Sequence, residues 1–388
     1  MVFFTQSKVT QPTVTQPIVA QPLSENKPFP TSVESMKQFA STAENEPGKG
    51  ILVCSRYDDR TKFERVHAQY PLKFIPTTGH ADRLAVVYMM SYGGGVISGD
   101  KFTVDMTINE SAILLLMTQG NTKIFKDRVH QRLWLASIND KQETTIKFTN
   151  MLPSLSSLGS LPSAIGSLFV SKPAEPPKPV APSLQTIHSV VASQATLLIV
   201  PDPVTCFRDS SFQSKQEFKL EDSSSQLVLL DWFTSGRITR GESWSFRHYS
   251  SRIDVRVAGK LVIKDAMVLE DEDYMRKEGE DTAYASRLVP YSCFATLIVI
   301  CNPESSLVES VNGIQRKSEQ MRLMPLTLKS KEDREVLWSV SSILKGRGVL
   351  VRVAGMTTEK VRDFVKYECL GSGFEKIVGE GMFGKVLM

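Results

Sequence analysis

The chain has no hydrophobic run long enough to cross a bilayer. Its longest apolar stretches, Ala112 to Met117, Ala195 to Val200 and Thr296 to Cys301, fall far short of the roughly 20 residues such a span needs. The start, Met-Val-Phe-Phe-Thr-Gln, lacks a basic segment followed by an apolar one, so no secretory signal is expected. Blocks of consecutive basic residues are missing too. A net charge of +4 over 388 residues is too small for the electrostatic footprint of a nucleic-acid surface. Cysteine is sparse: Cys54, Cys206, Cys293, Cys301 and Cys369 are scattered and odd in number. That argues for a reducing compartment, the cytoplasm, and against a disulfide framework.

Metal and catalytic signatures are equally thin. His67, His80, His130, His188 and His248 never stand at H-x-x-x-H spacing or beside cysteine at ligand spacing, which speaks against a permanent zinc site. A transient site for a borderline metal, assembled in space from carboxylates with one histidine or cysteine, stays open. Cys206 and Cys293 lie in apolar surroundings and read as buried structural thiols. Gly379-Glu-Gly-Met-Phe-Gly-Lys-Val386 matches the phosphate-covering loop of protein kinases, yet the chain holds no H-R-D or D-F-G, and the loop has no function without them. A glycine-containing C-terminal turn is the expectation there, with nucleotide binding as the rival. Gly94 to Lys101 nearly spells a P-loop, but Asp100 stands where the phosphate-pairing lysine belongs, so a tight turn is expected.

What is present is an ordinary globular composition, 41% hydrophobic and 23% charged, able to build a sizeable core. Short β-like runs recur: Leu84 to Met90, Lys101 to Ile108, Ala112 to Met117, Thr144 to Phe148, Ala195 to Val200, Gln226 to Leu230, Arg252 to Val257, Lys260 to Ile263, Phe294 to Ile300 and Gly348 to Val353. Strands therefore dominate. Helical patterning is confined to the last third. Ser330 with Asp333 forms a capping-box pattern ahead of Val336, Leu337, Val340, Ile343 and Leu344, which predicts a helix. Thr357 is placed to cap a second one carrying Val361, Phe364 and Val365.

Two stretches fall outside this pattern. Residues 1–46 carry a Thr-Gln-Pro repeat, Thr10 to Pro12 and Thr15 to Pro17, and are expected to be a disordered tail. Residues 152–185 run from serine-rich sequence into Pro173-Ala-Glu-Pro-Pro-Lys-Pro-Val-Ala-Pro182. Because runs of one style lie on both sides, this reads as an insertion within a single domain spanning 47–388.

Three polar, glycine-punctuated blocks sit at the ends of β-like runs: Ser91 to Asp100, Thr118 to Lys126, and Asp231 to Glu242. They hold no nucleophile–base pair, so they resemble a repeated polar seam more than an active site. For the third block two readings stand side by side, a β-turn with an Arg–carboxylate pair and a hydrated polar interior path. Thr118, Gln119, Asn121, Thr122 and Lys123 pose the same choice.

Together with Tyr70 to Lys73, Pro201-Asp-Pro-Val-Thr-Cys-Phe207, Trp244-x-Phe246, Tyr249-x-Ser-Arg252 and Asp265-Ala266, these blocks resemble the UreD (UreH) urease accessory family in its fungal form. The likeness runs in order over residues 47–388. It implies a mainly β, β-solenoid-like (β-helix) scaffold of stacked strands with helices near the C-terminus. It also implies a non-enzymatic, cytoplasmic role in a hetero-oligomeric complex, binding apo-urease and joining UreF and UreG to deliver nickel. No permanently bound cofactor is implied. The nickel is transient, passing through an internal tunnel whose residues carry over onto Asp100, Thr118, Thr122 and Glu242, with Asp231, Asp202 and Asp209 as weaker matches. Carboxylates and hydroxyls of this kind hold a divalent ion without trapping it. Arg208-Asp209 departs from the bacterial pattern near Phe207, and residues 330–369 are the expected docking part for UreF.

Overall fold

The computed structural model describes residues 45–77, 83–126, 182–271, 282, 284–324 and 334–388. The N-terminal tail to residue 44, the Thr144 to Phe148 run, the insertion up to residue 181, His80, His130, Ser330 and Asp333 lie outside the described residues.

Seventeen strands are described: β1 (Lys49–Tyr57), β2 (Arg60–Ala68), β3 (Leu72–Thr77), β4 (Ala85–Ser91), β5 (Lys101–Ile108), β6 (Ile113–Thr118), β7 (Thr122–Ile124), β8 (Ser183–Val191), β9 (Thr196–Ile199), β10 (Val204–Cys206), β11 (Ser211–Leu220), β12 (Gln226–Thr234), β13 (His248–Val257), β14 (Lys260–Glu270), β15 (Cys293–Ile300), β16 (Val336–Ile343) and β17 (Gly348–Gly355). They form two sheets. The first runs β14-β13-β11-β8-β5-β1-β2, and the second β16-β17-β15-β12-β9-β6-β4-β3, with β10 and β7 added beside β12. In the first sheet β1, β5, β8, β11 and β13 are parallel neighbours, as are β4, β6, β9 and β12 in the second. From β4 to β13 the chain crosses between the sheets repeatedly, each return landing beside the strand laid down before.

This arrangement explains why β6 and β9 are uninterrupted apolar runs. A strand covered on both faces needs no polar alternation. Leu114 and Leu116 point into the core between the sheets, while Leu115 and Met117 point into a second core under the helices. Full burial of each such side chain contributes about 1.5–3 kcal/mol.

The second core is roofed by helices, following a one-turn α1 (Ala285–Leu288). They are α2 (Leu307–Leu323), α3 (Thr358–Asp363) running into a π-helical segment (Phe364–Leu370), α4 (Gly371–Val378) and α5 (Glu380–Lys385). Leu307, Val311 and Ile314 of α2 meet Phe374, Val378 and Met382 there. As expected, Thr357 caps α3, its hydroxyl accepting the Lys360 N–H at 3.3 Å. The architecture is mainly β with helices toward the C-terminal end.

Two expectations change. Residues 336–343 are strand β16, not a helix. The pleat puts Val336 and Val340 against the helical layer and Ile343 on the opposite side. The ladder with β17 from Val336↔Gly355 to Ile343↔Gly348 outweighs the helical spacing. The kinase-like stretch is no glycine loop: Glu380–Lys385 is helical, and Met382 and Val386 are buried in the outer core.

Candidate functional site

The second block and the Pro201 to Phe207 block meet where β6 ends. Gly120, at φ 77, adopts the left-handed backbone that lets its N–H donate to Asp202 Oδ2 at 2.7 Å. Asp202 returns its own N–H to Thr118 Oγ1 at 2.8 Å, and that hydroxyl lies 3.4 Å from Oδ2. Burial pushes the Asp202 carboxyl above the ordinary range, opposed by the bonds from Gly120 and Thr118.

From this corner a hydroxyl ladder leads to the third block. Thr122 pairs with Val204, and Val204 with Phe233. Across the same strands Asn121 Nδ2 donates to Thr205 Oγ1 and Thr234 Oγ1 donates to it as well, both at 3.0 Å. Thr118, Asn121 and Thr122, with Met89 and Gln185, line a cleft of about 70 Å³.

Between the sheets a polar seam continues from that cleft. Gln185, Ser214 and Ser251 stand in register on β8, β11 and β13. Facing them, Asp231, Thr296 and Arg352 stand in register on β12, β15 and β17. Ser251 Oγ donates to Asp231 Oδ2 across the gap at 2.5 Å, and Arg352 Nη2 donates to Asp265 Oδ1. Asp231, Ser251, Asp265 and Thr296 border a pocket of about 10 Å³, room for one water. Asp231 is half-buried by accessible surface. Burial raises its pKa; hydrogen bonds from Ser251 and Gln216 oppose this, and the Asp265 charge adds to it. The Ser214 hydroxyl, midway along the row, is buried without a hydrogen-bond partner, the signature of a position that water completes.

Glu242 sits apart in the turn after β12. Arg237 Nε donates to its Oε2 at 2.8 Å, Arg237 Nη2 donates to Oε1, and the Arg208 N–H reaches Oε2 at 3.4 Å. The hydrogen bond from Arg237 holds this carboxyl below the usual range, and the guanidinium stacks on Phe207 at 4.1 Å from the ring centre. Gly236 is required here, since a Cβ would lie 2.9 Å from the Glu242 carbonyl oxygen. The turn reading of the third block holds for Arg237 and Glu242, which form the Arg–carboxylate pair, while Asp231 faces Ser251 between the sheets.

Asp100 closes the glycine turn before β5, its Oδ2 accepting the Ile97 N–H at 2.9 Å. Asp209 pairs with Arg247 at 3.4 Å. The structure therefore brings Thr118 and Thr122 to one cleft, bonds Asp202 to Thr118 and Gly120 of its lining, puts Asp231 between the sheets, and engages Asp100 and Glu242 in turns. Sequence reasoning missed Gln185, Ser214 and Gln216. The available signal was polar residues at the inward positions of alternating strands, as in Ser211-Phe-Gln-Ser-Lys-Gln-Glu-Phe218.

All five cysteines are buried and free. Burial pushes the thiols of Cys54 and Cys293 up to about 12, so they stay protonated and serve as core. Among the described residues no three His, Cys, Asp or Glu side chains are grouped to hold a metal ion, and no helix is long and apolar enough to cross a membrane.

These features define a class: a β-rich protein with a row of polar groups threaded between its two sheets. The family model for the UreD urease accessory protein matches residues 46–369, and the chain belongs to that family. It is similar to urease accessory protein 4 of the fungus Cryptococcus neoformans, at 27% identity over 351 residues, covering 88% of this chain and 95% of that protein. It is similar as well to urease accessory protein D of Arabidopsis thaliana, at 26% identity with 86% and 99% covered. Urease accessory protein UreD of Sorangium cellulosum matches at 27% identity, with 82% and 78% covered.

Proposed function

We propose that this chain is a non-catalytic, cytoplasmic scaffold that binds apo-urease and, with UreF and UreG, delivers nickel to the urease active site. Nickel is cargo in this reading, passing along the polar seam between the sheets. The observation that carries it is the row Gln185, Ser214 and Ser251, which links the Thr118–Thr122 cleft to Asp231. Hydroxyls, amides and a carboxylate with water between them offer a divalent ion successive weak oxygen sites. Asp231 supplies charge between the sheets, and Thr118 and Thr122 stand at the cleft with Asp202 bonded to Thr118. Asp100 and Glu242 are engaged with the backbone and with Arg237, so on this reading they hold their own turns and meet nickel only by opening those contacts. The repeated crossing between parallel-stranded sheets supports a solenoid-like stacking, which keeps such a seam continuous from coil to coil.

The test is urease activation with purified components. Ser214→Leu, which fills the seam, and Asp231→Asn are each expected to lower nickel content and activity of urease several-fold while the complex with UreF still forms. Full activation by both variants would remove nickel transfer through the seam and leave an interaction scaffold. Deletion of the gene is expected to leave urease protein present, nickel-poor and inactive.

A further inference from the structure

A polar row cuts across the apolar interior between the sheets. On the second sheet it runs through Asp231, Thr296, Arg352 and Ser339, in register on β12, β15, β17 and β16. Leu229 and Phe233 flank Asp231 on that face, and Phe294 and Ile298 flank Thr296. Ser339 lies exposed on the edge strand, so the row leads from the core to solvent. Polar groups placed among apolar ones cost stability unless something partners them.

Two carboxylates meet at this row. Asp231 on β12 and Asp265 on β14 border the same small pocket, close enough that the charge of one bears on the other. Two such acids repel. Arg352 relieves this by donating to Asp265 Oδ1, yet one guanidinium balances one carboxylate only. Thr296 and Tyr249, 4% and 1% exposed, border the pocket as well, and among the described residues no hydrogen bond engages either hydroxyl. Two acids and two unpartnered buried hydroxyls around room for one water suit a cation of charge two better than a guanidinium. The Arg352 side chain is 47% exposed, so it can swing outward past Ser339 without disturbing the core.

We propose that Asp231 and Asp265 form a resting site for a divalent cation, which the Arg352 guanidinium occupies until the ion displaces it. On the nickel-transfer reading above, on which this site rests, the ion is nickel in transit. A guanidinium and a divalent ion at contact distance repel, which makes the two occupants exclusive. One ion then balances both carboxylates, and Ser251, Thr296 and Tyr249 add neutral oxygens. Such an all-oxygen set suits hard ions and holds a borderline one such as nickel only in passing. Arg352 is a built-in competitor that weakens the site further and returns as the ion leaves.

Phenylglyoxal labelling of arginine in the wild-type full chain, read by mass spectrometry with nickel chloride raised to about 1 mM to capture weak binding, tests the exchange. Labelling of Arg352 is expected to rise several-fold with nickel, and unchanged labelling overturns the proposal. Equilibrium dialysis against nickel chloride adds the affinity. Arg352→Gln is expected to bind nickel several-fold more tightly than wild type, Arg352→Lys as weakly as wild type, and Arg352→Gln combined with Asp265→Asn to lose the gain. An equal gain by Arg352→Lys, or a gain that survives Asp265→Asn, overturns the site. Neither readout involves urease, so site and seam fail separately. Ser214→Leu that blocks activation while Arg352 ignores nickel overturns this site and spares the seam. Full activation by Ser214→Leu and Asp231→Asn beside a nickel response at Arg352 removes the seam and keeps a cation site outside the transfer route.

Discussion

Thr118 and Asp202, the first on β6 and the second just beyond β9, bind each other through backbone and side chain: the Asp202 N–H donates to Thr118 Oγ1 at 2.8 Å while that hydroxyl faces Oδ2 at 3.4 Å. Neither group can be deleted without leaving the other short of a partner. Thr118→Val is expected to cost about 1–3 kcal/mol in urea unfolding, the range for an orphaned buried polar group. Thr118→Ser should recover most of it, and a Thr118→Val midpoint equal to wild type would show that water replaces the hydroxyl.

Asp231 gives the protein a pH signature. Burial, helped by the Asp265 charge, raises its carboxyl above the unfolded value of 3.8. An acid with a raised folded pKa holds its proton more tightly when folded. Its contribution to stability is therefore fully present below the unfolded value and lost as pH climbs through the folded one. Asp231→Asn, which keeps an acceptor for Ser251, is expected to remove that decline, seen as a flatter plot of Tm against pH.

The Arg237–Glu242 pair has the opposite sign. The bond from Arg237 lowers the Glu242 carboxyl, so its contribution is present above the ordinary glutamate value and lost as pH falls through the lowered folded value. A double-mutant cycle with Arg237→Ala and Glu242→Ala should give a coupling of about 1 kcal/mol at neutral pH. The coupling should shrink in acid.

Substitutions on β6 probe two cores separately. Leu116→Ala opens a cavity between the sheets and Leu115→Ala one beneath the helices, each expected to cost about 2–5 kcal/mol in chemical denaturation. The Leu115 variant should also raise hydrogen exchange in α2 and α4, whereas the Leu116 variant should not.

Calorimetric titration with ATP or GTP is expected to give no binding heat. Helix α5 engages the backbone of Glu380–Lys385, and Met382 and Val386 are buried, which leaves no glycine loop to cover a phosphate. Measurable binding that is lost in Gly381→Val would overturn this.

Strands covered on both faces were legible as sequence, because an unbroken apolar run such as Leu114 to Met117 has few other homes. The Thr357 cap was legible too, since capping is local chemistry. Strands β8 and β11 were not. Their inward positions hold Gln185, Ser189, Ser214 and Gln216, and polar residues at core positions erase the alternation that marks a strand. β16 misled for another reason: Val336, Leu337, Val340, Ile343 and Leu344 satisfy a helical spacing, and only the ladder with β17 decides against it.

By itself the sequence determined the β-rich class, the polar blocks at strand ends and the resemblance to the UreD family, all of which depend on residue order and local propensity. Tertiary structure alone decided that Asp231 faces Ser251 across the sheets, that Glu242 is held by Arg237, and that residues 336–343 form a strand beside β17. Those relations join residues brought together by strand register, and register is set by the packing of two sheets and a helical layer around shared cores.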